Sequence, residues 1–139
     1  MIRTVIDTNV LVSAFLSPGG NAALILQAII EGLIPIFLTD EIAQEYADVL
    51  NRPRFALDPD TVRVTLDHIH RHAQFVQPDP SAPASPDPND TMFLQCAFAA
   101  QADVIVTGNR RDFPDSPYGE IHVLTISEFL QRLAGEIRA

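Results

Sequence analysis

The sequence predicts an α/β fold, a three-layer α/β/α sandwich around a mostly parallel sheet, and three observations carry that prediction. Four short runs rich in β-branched or apolar residues, Thr4–Ile6, Ile34–Leu38, Val104–Thr107 and Ile121–Leu124, read as strands buried on both faces. Helical patterns lie between them, and strands alternating with helices are the mark of parallel crossover units. The length of 139 residues suits one domain with its own core, so residues 1–139 are read as a single domain.

Taken in order, the first strand runs through Val5 and Ile6 into three polar residues, Asp7, Thr8 and Asn9, before the chain turns apolar again at Val10. A helix over Ala22–Glu31 ends at Gly32, a residue suited to a left-handed C-terminal cap. A second, Glu41–Leu50, follows Thr39 and Asp40, both good N-cap residues, and stops before Pro53. A third, Thr61–Ala73, carries Val62, Leu66, Ile69 and Ala73 on one face. Residues 77–88, QPDPSAPASPDP, hold no regular structure and read as a proline-stiffened loop crossing the top or edge of the domain. A helix over Asp90–Gln101 is opened by Asp87 as N-cap and Pro88 at its first position. The last helix, Ser127–Leu133, takes Ser127 as its N-cap.

Eighteen acidic residues stand against nine basic ones, giving a net charge of −9, and all nine are arginine. This argues against a general nucleic-acid coat, which needs a basic face, and does not exclude an enzyme that meets phosphates through a bound cation. Cys96 stands alone, so an internal disulfide is impossible; it reads as a core residue of a protein from a reducing compartment. No apolar stretch is long enough to span a bilayer, and Met1–Thr4 leads directly into a strand, so no signal peptide and a cytoplasmic location are expected. His68 and His72 are four apart on a helix, a zinc-site spacing, but they lie off its apolar stripe without a third ligand nearby in sequence.

Four carboxylates stand out. In open α/β sheets ligands bind beyond the carboxyl ends of the strands. Asp7 ends the first strand, and Asn109 and Asp112 follow the strand Val104–Thr107. A helix N-cap is the competing role for Asp7, and a turn-forming residue for Asp112. On the helix Glu41–Leu50, Glu45 lies nearest the apolar stripe of Ile42, Tyr46, Val49 and Leu50, while Glu41 and Asp48 point outward. Its competing role is a surface side chain lying along that stripe. Asp90 sits where a capping box places its acid, and the positive end of the helix dipole is expected to hold it ionised. Acids gathered on one rim repel unless something positive sits among them, and hard oxygen ligands suit Mg²⁺ or Mn²⁺.

With these residues assembled, the chain resembles the PIN domain family, of the kind found as the toxin of bacterial toxin–antitoxin pairs. The matching stretches are VIDTNVLVSAF, EIAQEYADVLNRPRF, DPNDTMFLQCAFAAQADVIVTGNRRDF and VLTISEFL, in order along nearly the whole chain. The resemblance implies a metal-dependent ribonuclease that leaves a 5′-phosphate and a 3′-hydroxyl, with a cognate antitoxin and a homodimeric assembly. Carried across, the family's acids fall on Asp7, Glu45, Asp90 and Asp112, with Asp7, Asp90 and Asp112 as metal ligands. Thr8, Asn9, Thr107 and Asn109 fall on supporting polar positions. Many members carry Asp where this chain has Asn109, so either Asp112 completes the site or Asn109 serves as a neutral ligand. Arg110 and Arg111 are candidates for contact with substrate phosphates or an antitoxin, or are solvated surface residues.

Rival classes fare worse. A phosphoacceptor receiver domain needs a lysine beside the phosphoryl group, and the chain has none. A haloacid-dehalogenase-type phosphatase wants Asp-x-Asp after its first strand, where this chain has Asp7-Thr8-Asn9. A catalytically inactive PIN-like module that only binds a partner protein is the remaining alternative.

Overall fold

In the computed structural model, which describes residues 1–138, strand β1 (Thr4–Ile6) pairs in parallel with β4 (Val104–Val106), and β4 with β5 (His122–Leu124). A second parallel pair, β2 (Phe37–Leu38) with β3 (Gln74–Phe75), adjoins β1 through a parallel bridge between Thr4 and Ile36. Across the whole surface the strands therefore follow the order β3-β2-β1-β4-β5. Six helices flank this surface: α1 (Thr8–Leu16), α2 (Asn21–Ile30), α3 (Asp40–Leu50), α4 (Pro59–His72), α5 (Pro88–Ala100) and α6 (Ile126–Arg138). The architecture is the α/β/α sandwich that strand–helix alternation predicts.

The centre of the sheet is dry because its strands carry no polar alternation. Val5, Ile6, Val104, Ile105 and Val106 are all fully buried, as parallel strands covered on both faces must be. Pro35 shortens the expected strand Ile34–Leu38: it has no N–H to donate, and regular pairing starts only after the Ile36 bridge. Strand β3 is new relative to the sequence reading. Its two residues are exposed, and its pairing rests on Gln74 and Val76 N–H groups donating to the carbonyls of Ile36 and Leu38.

Helix ends follow local chemistry with one correction. Gly32 adopts φ +77° after α2, and Leu33 and Gly32 N–H donate to the carbonyls of Ala28 and Ile29, a Schellman closure. Thr39 caps α3 by accepting from Ile42 N–H at 3.2 Å. Ser127 is not the cap of α6. Thr125 holds that position: its Oγ1 accepts from Glu128 N–H at 3.2 Å while its own N–H donates to Glu128 Oε1 at 2.9 Å. That reciprocal Thr-x-x-Glu box satisfies two donors, where Ser127 would satisfy one.

The strand order has a functional consequence. From β1 the chain proceeds to β2 on one side, and β4 lies on the other, so the order reverses between β1 and β4. Ligands of open α/β sheets bind at such a switch point, outside the carboxyl ends of the strands. Among the described residues no single helix is long and apolar enough to cross a membrane.

Candidate metal centre

Asp7 is the first residue past β1, and Thr107 the first past β4, directly across the ladder. The Asp7 carboxylate accepts from Thr107 Oγ1 at 2.8 Å. Although Asp7 occupies the N-cap position of α1, its side chain makes no capping hydrogen bond. Asn9, two residues on, makes a second link to the segment after β4: its Oδ1 accepts from Gly108 N–H at 2.9 Å. A Cβ on Gly108 would lie 3.3 Å from that oxygen, so the small residue permits the approach.

Asp90 comes from the first turn of α5. Asp87 caps that helix by accepting from Asn89 N–H at 2.9 Å, as expected, but Asp90 makes no return bond to Asp87. Its carboxylate is left to face Asp7 and Asp112, and carboxylate oxygens of the three lie within 4.8 Å of one another. Asp112 sits in a 3₁₀ turn, Arg110–Asp112, capped by Asn109 through a bond from Arg111 N–H at 3.2 Å. The Asn109 amide nitrogen donates to Asp112 Oδ1 at 3.3 Å. Thus Asp112 contributes the carboxylate, and both ends of the Asn109 amide are engaged in shaping its turn.

Glu45 lines the same cavity as the three aspartates but stands outside their close cluster. Its place is set by its neighbour. Buried Tyr46 donates its hydroxyl to the Ile6 carbonyl, tying α3 to the end of β1 one residue before Asp7. Glu45 is half-buried, while Glu41 and Asp48 on the same helix are exposed.

Crowding shows in the protonation equilibria. Burial pushes Asp7 up to about 6, against the pull of the Thr107 hydroxyl and with a push from Asp112. Burial, then the charges of Asp7, Asp112, Asp87 and Glu45, push Asp90 up to about 7. Asp112 is raised as well, by burial and by Asp87. The α5 dipole was expected to hold Asp90 ionised; burial and the four nearby carboxylates push in the opposite direction, raising its carboxyl above the usual range. None of the three aspartates forms an ion pair among the described residues.

A family model described as "PIN domain" matches residues 3–111. The chain belongs to the PIN domain family. The fold of this PIN domain is also similar to a solved structure, VapBC2 from Rickettsia felis bound to a DNA fragment from their promoter. The TM-score is 0.59 at 14% identity, covering 89% of this chain and 98% of that one. No curated protein matches the sequence.

Three residues of this PIN domain's cavity escaped the sequence reading: Arg52, Arg54 and Phe55 line it beside the acids. No helical periodicity marked them, since α3 ends at Leu50 and these residues lie in the turn beyond its cap, Asn51. Arg110 instead pairs with Glu128, while Arg111 is exposed. The proline-rich loop also reaches the site. Buried Ser85 donates its hydroxyl to the Asp112 carbonyl at 2.7 Å, and its N–H to Thr91 Oγ1 at 3.0 Å. It thereby ties the Asp112 turn to the helix that carries Asp90. His68 and His72 do not assemble a site: among the described residues the one metal-competent group is Asp7, Asp90 and Asp112. Cys96 is fully buried, its thiol pushed up to about 12 by burial, and belongs to the core.

Proposed function

We propose that this PIN domain is a Mg²⁺- or Mn²⁺-dependent endoribonuclease, the toxin of a toxin–antitoxin pair that acts in the cytoplasm as a homodimer. The observation that carries the proposal is the convergence of Asp7, Asp90 and Asp112 from three separate segments to within 4.8 Å, with no ion pair among the described residues to offset them. An all-oxygen donor set of this kind fits a hard, partly hydrated divalent cation. Thr8 supports the fit: its buried Oγ1, in the same cavity, has no hydrogen-bond partner among the described residues.

Asp7, Asp90 and Asp112 would hold the ion, which when bound supplies phosphate charge neutralisation and a more acidic water. Around it, Thr107 keeps the Asp7 carboxylate in one orientation and Asn109 does so for Asp112. Glu45, on the α3 wall, orients the attacking water. In-line attack on an RNA phosphodiester then leaves a 5′-phosphate and a 3′-hydroxyl. The VapBC2 likeness supports a cognate antitoxin as the protein partner.

The test is cleavage of an RNA panel by purified protein with Mg²⁺, with Mn²⁺ and in excess chelator. Metal-dependent products bearing 5′-phosphates are expected. Cleavage that persists in chelator would overturn the metal role, and no cleavage of any RNA would favour the binding-only alternative.

Two substitutions probe the supports. Ser85→Ala leaves the Asp112 carbonyl without its donor, so stability should fall by about 1 kcal/mol and Mg²⁺ affinity by about ten-fold. Ser85→Thr, which keeps the hydroxyl, should recover most of both. Thr8→Val removes an unpartnered buried hydroxyl and should leave metal-free stability equal or higher. Its cost should instead appear in metal-dependent turnover. A clear loss of metal-free stability would show that the hydroxyl has a structural partner.

A further inference from the structure

We infer that the turn Arg52–Phe55 is a subsite for single-stranded RNA next to the carboxylates, with Arg52 and Arg54 taking backbone phosphates and Phe55 stacking one base. The inference deepens the ribonuclease proposal and rests on it. In a chain of net charge −9, two of the nine arginines line the acid cavity. Neither forms an ion pair among the described residues, although carboxylates share their cavity. Cations left free beside anions they could neutralise are suited to a third, anionic partner.

The turn presents these groups on a stiff frame. Arg52 N–H donates to the Val49 carbonyl, Phe55 N–H to that of Arg52, and Ala56 N–H to that of Pro53, all at 3.0–3.1 Å. Pro53 fixes its own φ, and Ala56 closes the turn at φ +49°. The Arg54 guanidinium lies over the Phe55 ring, 4.8 Å from its centroid, giving a cationic layer on an aromatic face. Guanidinium groups recognise phosphates, and an aromatic ring stacks a base only when that base is unpaired. Single-stranded RNA is therefore the substrate class the turn fits.

The experiment measures binding of a 5′-fluorescein-labelled, ten-nucleotide mixed-sequence RNA by anisotropy over a range of salt, with Ca²⁺ replacing Mg²⁺. Cleavage in Mg²⁺ and the Mg²⁺-induced shift in Tm are recorded alongside. Arg52→Ala/Arg54→Ala should weaken RNA binding at least about ten-fold and lower the salt slope by about 1.4, two phosphates' worth for a single strand. Its metal-induced Tm shift should match wild type. Phe55→Leu should weaken binding about five-fold or more with the salt slope unchanged, and Phe55→Tyr should restore it. If wild type cleaves RNA while the double variant keeps wild-type affinity and slope, the subsite is wrong and the ribonuclease proposal stands. A wild type that neither binds nor cleaves RNA overturns both.

Discussion

Asp7→Asn and Asp90→Asn each lose nearly all turnover, about 10³-fold or more, in a single-turnover RNA cleavage assay at saturating Mg²⁺. The size follows from what each change removes: one of the three anionic ligands that would hold the cation, and with it the positive charge that offsets the scissile phosphate in a poorly screened site. Folding is not at issue for Asp7→Asn. The amide oxygen can still accept the Thr107 hydroxyl that wild type binds at 2.8 Å, so the orientation survives while the charge goes. Glu45→Gln and Asp112→Asn should cost less, about 10²-fold, because Glu45 stands outside the close cluster and Asp112 is flanked by the polar Asn109. Glu41→Gln and Asp48→Asn, both exposed on the same helix as Glu45, should stay within about two-fold of wild type. An essential Glu41 beside a dispensable Glu45 would show that α3 presents a different face to the substrate.

In chelator, the same Asp7→Asn variant should melt at or above the wild-type temperature. Asp7 and Asp90 are raised to about 6 and about 7 from ordinary values of 3.8, so between those limits the folded chain binds protons that the unfolded chain does not. Stability linked to these groups therefore increases as pH falls from about 8 to about 4, is fully present below the unfolded values, and is lost as pH rises through the folded ones. For Asp7 alone the shift corresponds to roughly 3 kcal/mol, which the amide substitution relieves. Mg²⁺ acts in the opposite sense: at a hundred times its Kd it should stabilise the wild type by about 2.7 kcal/mol, or roughly 10 °C in a domain of this size. That shift should be much smaller in Asp7→Asn, and should shrink in wild type below about pH 6 as protons compete for the ligands. Four melts, each protein in chelator and in saturating Mg²⁺, decide the matter. An Asp7→Asn variant clearly less stable without metal, together with a wild type indifferent to Mg²⁺, would make Asp7 a structural cap.

Much of the fold was legible because it is written in local pattern. Apolar triplets such as Val104–Val106 mark strands buried on both faces, and Thr39, Asp87 and Gly32 mark helix ends through bonds made within a few residues. What local pattern does not carry was misread or missed. Strand β3 consists of two exposed residues whose only claim to be a strand is the partner beside them. The α6 cap is a different case: Ser127 was expected, two positions past the true cap Thr125, although the local Thr-x-x-Glu pattern with Glu128 is legible in the sequence.

The candidate site divides the same way. By itself the sequence determined the acids worth naming: Asp7 and Asp112 follow strands, Asp90 opens a helix, and Glu45 lies at the edge of an apolar stripe. Only the tertiary structure decided that Asp7, Asp90 and Asp112 meet within 4.8 Å while Glu45 stands apart. It also decided that Ser85, from the proline-rich loop, holds the Asp112 turn, and that Arg52 and Arg54 line the same cavity without an ion pair among the described residues. The physical reason is range. Caps, turns and strand periodicity are set by bonds a few residues long. The distance between Asp7 and Asp112 depends on β1 and β4 being neighbours in the sheet, and that adjacency is set by long-range packing of the whole core.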